Sequence, residues 1–371
     1  MPGSRARLLA GFLFLSAALS GCSLMAPQTY ALKEQPPADL AVRAELTQVP
    51  FFPQDDYYCG PAALAMVLNA AGVKVSPEEL VDQVYLPGRK GSLQVEMLAA
   101  ARRQGLIAYE LAPQVTDMLR EVAAGSPAIV LENYGPFSWI PVWHYSVVVG
   151  YDLQRLEVIR RSGVQERRPT PLPIFEKIWK HENYWSMLAV PPDRVPVTAT
   201  EPRYAAAVIA LEKAGQIRNA QIAYQALLRR WPASLAGEMG SGNTAYALHD
   251  LDAAESAFRR ASVDHPDAVA AFNNLANVLA ERGKFSDALA AAEQAVSLGG
   301  PLLPETQATL EEIRQKAEIA RAQAMKIQPP AEVEVPMQVS APVAPEAAAK
   351  KTSKPHKKRV RRRARAPVNP G

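Results

Sequence analysis

"QDDYYCGPAALAMVL", Gln54 to Leu68, sets one of the chain's two cysteines directly before Gly-Pro at the head of an apolar run. Pro61 fits the first turn of a helix, where its missing N–H has no partner to lose. Ala63, Leu64, Val67 and Ala71 recur at helical spacing, and Gly72 suits the stop. The pattern predicts a helix opening at Cys59. Unpaired N–H groups and the positive end of the helix dipole lower the pKa of a cysteine in that position. Attack of a thiolate on a carbonyl produces an oxyanion that needs donors. The Cys59 N–H and the side-chain amide of Gln54, five residues upstream, have the right chemistry. An imidazole must then hold the thiol proton and pass it to the leaving group.

The other cysteine ends a sorting signal. Arg5 and Arg7 precede an apolar stretch, Leu8 to Leu19, too short for an ordinary membrane span. It closes in "LSGC", Leu19 to Cys22, which resembles the bacterial lipobox, where a signal peptidase cuts before a cysteine that becomes lipidated. Ser23 follows rather than an inner-membrane retention aspartate. The resemblance therefore implies a bacterial envelope protein, anchored by lipid to the outer membrane and facing the periplasm. Lipidation of Cys22 would leave Cys59 as the only free thiol, unable to form an intramolecular disulfide. No C-x-x-C is present, so a thiolate zinc site is not expected, and the reading calls for no cofactor.

Of the five histidines, His249 and His265 fall in an Ala-rich helical region, His356 among lysines, and His181 after a Lys-rich helix. His144 alone opens an apolar strand, "HYSVVVGYD", and is the natural base for Cys59.

The chain divides into a signal at 1–21, a tether at 22–46, a domain at 47–192, a linker at 193–202, a helical region at 203–326 and a Pro/Ala/Lys/Arg-rich tail at 327–371 expected to be disordered. In the first domain Ser76 and Glu79 form a capping-box pattern around Pro77, and Ser92 suits the cap of a third helix ending near Gly105. "LIAYEL", "AIVLE", "HYSVVVGY", "LEVIRR" and "WSMLAV" follow as strands, so the domain reads as α+β. From 203 onward a period of 34 residues relates Ala220, Ala254 and Ala288, and also Tyr224, Phe258 and Ala292. That region resembles the tetratricopeptide repeat, an all-α solenoid of stacked helix pairs closed by a charged helix at about 304–326. The middle copy is poor, because Gly240, Ser241 and Gly242 stand where apolar residues belong. The formal charge of +4 comes from the tail: Lys350 to Arg365 holds ten Lys and Arg residues and no acid, and without them the chain stands at −6. Such a tail suits anionic lipid headgroups or another polyanion, or simply solvent. Periplasmic exposure argues against nucleic acid.

"VPFFPQDDYYCGPAALAMVLNAAG" and "HYSVVVGYD" resemble the two signatures of the bacteriocin-processing cysteine peptidases, cysteine peptidase family thirty-nine, over about residues 47–190. The resemblance implies a papain-like fold, with Gln54 in the oxyanion hole, Cys59 as nucleophile and His144 as base. The overall arrangement is similar to lipid-anchored family members fused to tetratricopeptide repeats. One part departs. The family places an aspartate or asparagine on the strand after the histidine, and here that strand reads "LEVIRRSG". Asp152, a second candidate, lies eight residues past His144, about 26 Å along an extended strand, and needs a sharp return to reach it. Otherwise a backbone carbonyl or Ser162 orients the imidazole, or the enzyme is slow or inactive.

The expected function is therefore a lipid-anchored cysteine peptidase that hydrolyses peptide bonds, its repeats holding a substrate or partner protein. The same residues support acyl transfer to an amine. A catalytically degenerate, peptide-binding envelope scaffold is the alternative. No Walker motif or transmembrane bundle accompanies the domain, so the leader peptides of the resembled family are not assumed as substrate.

Overall fold

The computed structural model describes residues 26–54, 58–136 and 140–327. The signal, Cys22 and the basic tail lie outside the described residues. Among those described, no helix is long and apolar enough to cross a membrane.

The expected helix is α2, Cys59–Ala70, preceded by α1, Pro27–Glu34, and β1, Arg43–Glu45. Every residue of α2 from Gly60 to Leu68 is buried, which marks a central helix rather than an amphipathic surface one. Gly60 has no room for a side chain, since a Cβ there would stand 2.1 Å from Ser92 Oγ. Gly72 adopts φ +92°, closed to most side chains, and turns the chain after the helix. Next come α3, Pro77–Val84, a short hairpin of β2, Tyr85–Leu86, and β3, Gly91–Ser92, and then α4, Gln94–Arg103. Ser76 and Glu79 form the expected capping box on α3. Ser92 does not cap α4: it pairs in β3, and Leu93 takes the cap position without a side-chain bond.

The remaining strands and helices of this domain are β4 Ile107–Glu110, α5 Val115–Ala123, β5 Ala128–Asn133, β6 Trp143–Asp152, β7 Glu157–Ser162, β8 Gln165–Pro171, α6 Leu172–Lys180 and β9 Ser186–Val190. They build an antiparallel sheet in the order β4-β9-β5-β6-β7-β8, with β1 paired to the far end of β6. Strand alternation sorts the side chains onto two faces. Ile129, Leu131, Tyr145 and Val147 pack against α2 and α4. Val130, Val148, Tyr151 and Val158 pack against α5 and α6. A bulge between Val148 and Gly150 lets both Val148 and Tyr151 reach the same face. The α+β expectation holds. Neither β1 nor β8 carries a local strand signal, and "QERRPTP" of β8 lacks apolar alternation.

Among the described residues seven helices follow: α7 Glu201–Lys213, α8 Ile217–Arg230, α9 Leu235–Ala247, α10 Leu251–Asp264, α11 Val269–Glu281, α12 Phe285–Leu298 and α13 Leu303–Ile327. From α9 on, each begins 34 residues after the helix two before it, so the sequence period is a structural one and the run is a helical repeat solenoid. The glycines of the middle copy do not break α9. A Cβ at Gly240 would stand 2.1 Å from the Tyr224 ring, and one at Gly242 2.4 Å from the Phe258 ring. Aromatic rings from α8 and α10 occupy the space that the missing side chains leave.

Two segments differ from expectation. The tether at 22–46 carries α1 and β1, and α1 is docked. Glu176 of α6 accepts from Gln28 N at 2.9 Å, from Thr29 N at 2.7 Å and from Thr29 Oγ1 at 2.6 Å. The carboxylate thus satisfies N–H groups that a helix start leaves open. The linker at 193–202 is likewise clamped: Thr198 N and Oγ1 both donate to Glu121 Oε1 at 2.7 Å, and Arg230 donates to the Pro196 and Val197 carbonyls. Tyr204, Val208 and Leu211 of α7 join the same hydrophobic core as Ile107 and Tyr109 of β4. The sheet edge at β4 is thereby covered, and the first repeat is continuous with the α+β domain.

Candidate active site

Three chain segments converge at one end of the sheet. The helix α2 brings Cys59 by its first residue. Strand β6 brings His144, opposite Glu132 of β5. The turn after β7 holds the third segment, because Gln54 N donates to Gly163 O at 3.1 Å. The result is a cavity of about 870 Å³ whose walls include Gln54, Cys59, Tyr134, His144, Ser162 and Arg168.

Gln54 is 6% exposed, and neither its side-chain nitrogen nor its side-chain oxygen has a hydrogen-bond partner among the described residues. A buried amide left unsatisfied costs free energy, so its place in a cavity wall points to a ligand atom as its partner. His144 Nε2 lies 2.9 Å from the Oγ of buried Ser162. The Tyr134 ring stands edge-on to the imidazole at 6.0 Å between centroids.

Asp152 is not brought to this cavity. It sits at the opposite end of β6, where its Oδ1 accepts from Gln154 N and Arg155 N at 3.0 Å and closes a turn. The two residues stand at opposite ends of one continuous strand, its bulge included, so the sharp return does not occur. Ser162, one of the alternatives from sequence, is the group that meets the imidazole.

The electrostatics depart from expectation as well. Burial pushes the Cys59 thiol up; the backbone N–H groups of Tyr145, Gly60 and Cys59 itself act in the opposite sense without cancelling it. The lowered thiol pKa expected from the helix N-terminus is therefore reversed by desolvation. His144 is held down at about 4, first by burial and then by Arg160 and Arg168. At neutral pH the pair is a neutral thiol with a neutral imidazole.

Sequence reading missed the charged framework behind His144. Arg160, fully buried, is paired to fully buried Glu132 and donates to Tyr134 Oη at 3.1 Å and to Thr170 Oγ1 at 2.9 Å. Glu132 also accepts from Tyr134 Oη at 3.0 Å. The only trace in the sequence is an acid closing the apolar run "AIVLE" and an arginine inside "LEVIRR". Which charges meet depends on strand register. Among the described residues no cluster of three or more His, Cys, Asp or Glu could hold a metal ion.

The profile of the Peptidase_C39 like family matches residues 46–186, the α+β domain with Gln54, Cys59 and His144 inside it. No curated protein matches the chain. Among solved structures, a candidate C39-like peptidase from Bacillus anthracis is similar at 19% identity, over 40% of this chain and 97% of its own, with a TM-score of 0.34. The type III secretion translocator chaperone SycD of Yersinia enterocolitica is similar at 20% identity, over 32% of this chain and 85% of its own, with a TM-score of 0.30. SycD in complex with a peptide of the translocator YopD is similar at 16% identity, over 33% of this chain and 93% of its own, with a TM-score of 0.29.

Proposed function

We propose that the chain is a cysteine peptidase whose nucleophile is Cys59. The observation that carries the reading is the Gln54 amide, unpartnered among the described residues, in the same cavity wall as Cys59 and His144. Ser162 engages His144 Nε2, which leaves Nδ1 for the thiol. As Sγ attacks the substrate carbonyl carbon, Nδ1 takes the thiol proton and the C–S bond forms. The Cys59 N–H and Gln54 Nε2 donate to the oxyanion. Collapse breaks the C–N bond, and the imidazolium gives its proton to the leaving amine. Water then adds to the thioester with His144 as base, and the carboxylic acid and free thiol are released.

Ser162 differs from a carboxylate in two ways. A carboxylate only accepts and so fixes the Nε2–H tautomer, whereas a hydroxyl can donate or accept. It also carries no charge to stabilise the imidazolium. Both features favour a slower enzyme than one with an acid in this place. The same features support a second reading, a catalytically degenerate module that binds peptides without cutting them.

The lipid anchor on Cys22, the outer-membrane location facing the periplasm and the partner-binding role of the repeats belong to this proposal. A cavity of about 510 Å³ in the repeats, lined by Asn243, Tyr246, Phe258, Asn274 and Asn277, has the polar and aromatic character suited to a protein segment. The docked α1 bears on the anchor. Three residues separate Cys22 from buried Ala26, so a lipid there would hold the body within about 14 Å of its attachment point.

An electrophilic peptide probe on the mature protein tests the enzyme. Labelling and turnover that vanish in Cys59→Ser support it. Peptide binding without turnover in wild type supports the degenerate module. Mass spectrometry of wild type and Cys22→Ala tests the anchor separately.

A further inference from the structure

We infer that Arg168 is the receptor for an acidic side chain of the substrate, next to the bond that is cut. The inference rests on the peptidase reading of this site and names its substrate class.

The argument begins with the strand register. Arg168 of β8 stands directly opposite Arg160 of β7. Like charges directly across a ladder are destabilising. Arg160 is neutralised by Glu132, a carboxylate that is itself fully buried and has no access to solvent. Arg168 has no such relief. Its guanidinium forms no ion pair or hydrogen bond with any described residue, and its contact is the face of the Tyr134 ring at 5.9 Å. Two arginines thus share one acid, and the second is left half-buried in the cavity wall beside His144.

No acid among the described lining residues pairs with it. Glu182 is in the wall, but its Oε1 accepts from Asn133 Nδ2 at 2.9 Å and from Trp143 Nε1 at 2.9 Å. Arg89 and Lys90 line the cavity too, and add positive charge. A cation that the fold places against another cation, without a partner among the described residues, has a cost. A ligand carboxylate repays it, because the guanidinium fork accepts one bidentately. Arg168 acts electrostatically on His144, and His144 must reach the leaving amine. The carboxylate therefore belongs to a residue close to the scissile bond.

A consequence follows for the chemistry. Arg168 is one of the two cations that hold His144 down. A substrate carboxylate seated on Arg168 screens that charge, so the imidazole becomes a better base when the right substrate is bound.

The test uses the purified full-length protein and two probes. The first is a set of fluorogenic peptides identical except for Glu, Gln or Lys at the positions flanking the scissile bond, each as free acid and as C-terminal amide. The expected result is kcat/KM on the order of tenfold or more higher for Glu than for Gln. The preference should be lost in Arg168→Gln, inverted toward Lys in Arg168→Glu, and indifferent to C-terminal amidation. The second probe needs no turnover: the rate of Cys59 alkylation by anionic iodoacetate relative to neutral iodoacetamide, in wild type at low and high salt and in Arg168→Gln. The ratio should be high at low salt, and should fall with salt and in the variant. Turnover without preference for Glu overturns the inference and leaves the peptidase reading standing. A preference that follows the free C-terminus overturns it in favour of a terminal carboxylate site. An Arg168-dependent iodoacetate preference with no peptide turnover keeps the anion receptor and removes the peptidase reading. An unbiased alkylation ratio in wild type overturns the receptor itself.

Discussion

His144 Nε2 and Ser162 Oγ, residues on adjacent antiparallel strands, meet at 2.9 Å where the resembled peptidase family carries an acid or amide. The contact predicts a modest positioning role. Removing one neutral hydrogen bond costs roughly 0.5–1.5 kcal/mol, so Ser162→Ala should lower kcat about 2- to 12-fold with KM little changed. Ser162→Asp should move the acid limb of kcat/KM to higher pH, because a carboxylate favours the imidazolium. Asp152→Ala should leave kcat/KM as it is. An Asp152→Ala defect as deep as that of His144→Ala would reinstate Asp152.

Gln54→Ala separates catalysis from stability. Losing an oxyanion donor should cost on the order of a hundredfold or more in kcat. The amide has no hydrogen bond to lose among the described residues, so the melting temperature should hold or rise. A large drop in melting temperature with unchanged kcat would move Gln54 from the chemistry to the scaffold.

The two titrating groups set a pH signature. With the Cys59 thiol pushed up by burial, alkylation by iodoacetamide should rise only above the ordinary thiol range of roughly 8.5. With His144 at about 4, kcat/KM should persist well below pH 6 and fall near that value. An alkylation midpoint near 7 together with an acid limb near 6.5 would signify a preformed ion pair and contradict this electrostatic picture.

The same His144 shift makes stability pH-dependent. Between its ordinary value of 6.5 and about 4, the unfolded chain binds a proton that the folded one does not. Stability therefore falls as pH is lowered through that window. His144→Gln should flatten this part of the profile measured by urea unfolding at a series of pH values. Identical slopes in the two proteins would mean that His144 is not held neutral.

The buried Glu132–Arg160 pair predicts asymmetric mutational costs. Glu132→Leu alone leaves a buried cation and should cost about 3–5 kcal/mol, whereas Glu132→Leu with Arg160→Met should recover most of it. Denaturant unfolding of the single and double variants checks this, and equal losses in both would assign the cost to packing.

Much of the site was legible because its signals are local. A cysteine before Gly-Pro and an apolar run gives α2, and the capping box at Ser76 and Glu79 starts α3. The 34-residue period fixes where each repeat helix begins, and period is a property of a linear string. The choice of Gln54, Cys59 and His144 as one cluster also came from sequence, and they line one cavity.

Tertiary structure decided the rest. Local sequence cannot say that Ser162 rather than Asp152 meets His144, because that follows from the pairing of β6 with β7 and from the turn at Asp152. Nor can it say that Glu132 answers Arg160 while Arg168 has no such partner among the described residues, since that depends on cross-strand register. The docking of α1 rests on Glu176, almost 150 residues away in sequence. The thiol pKa turned on the same distinction. The helix N-terminus that lowers it is visible in fifteen residues, but the burial that raises it is made by everything packed around Cys59. Short-range rules fix which residues stand together on one element, and desolvation and register, set by the whole fold, fix what those residues then are.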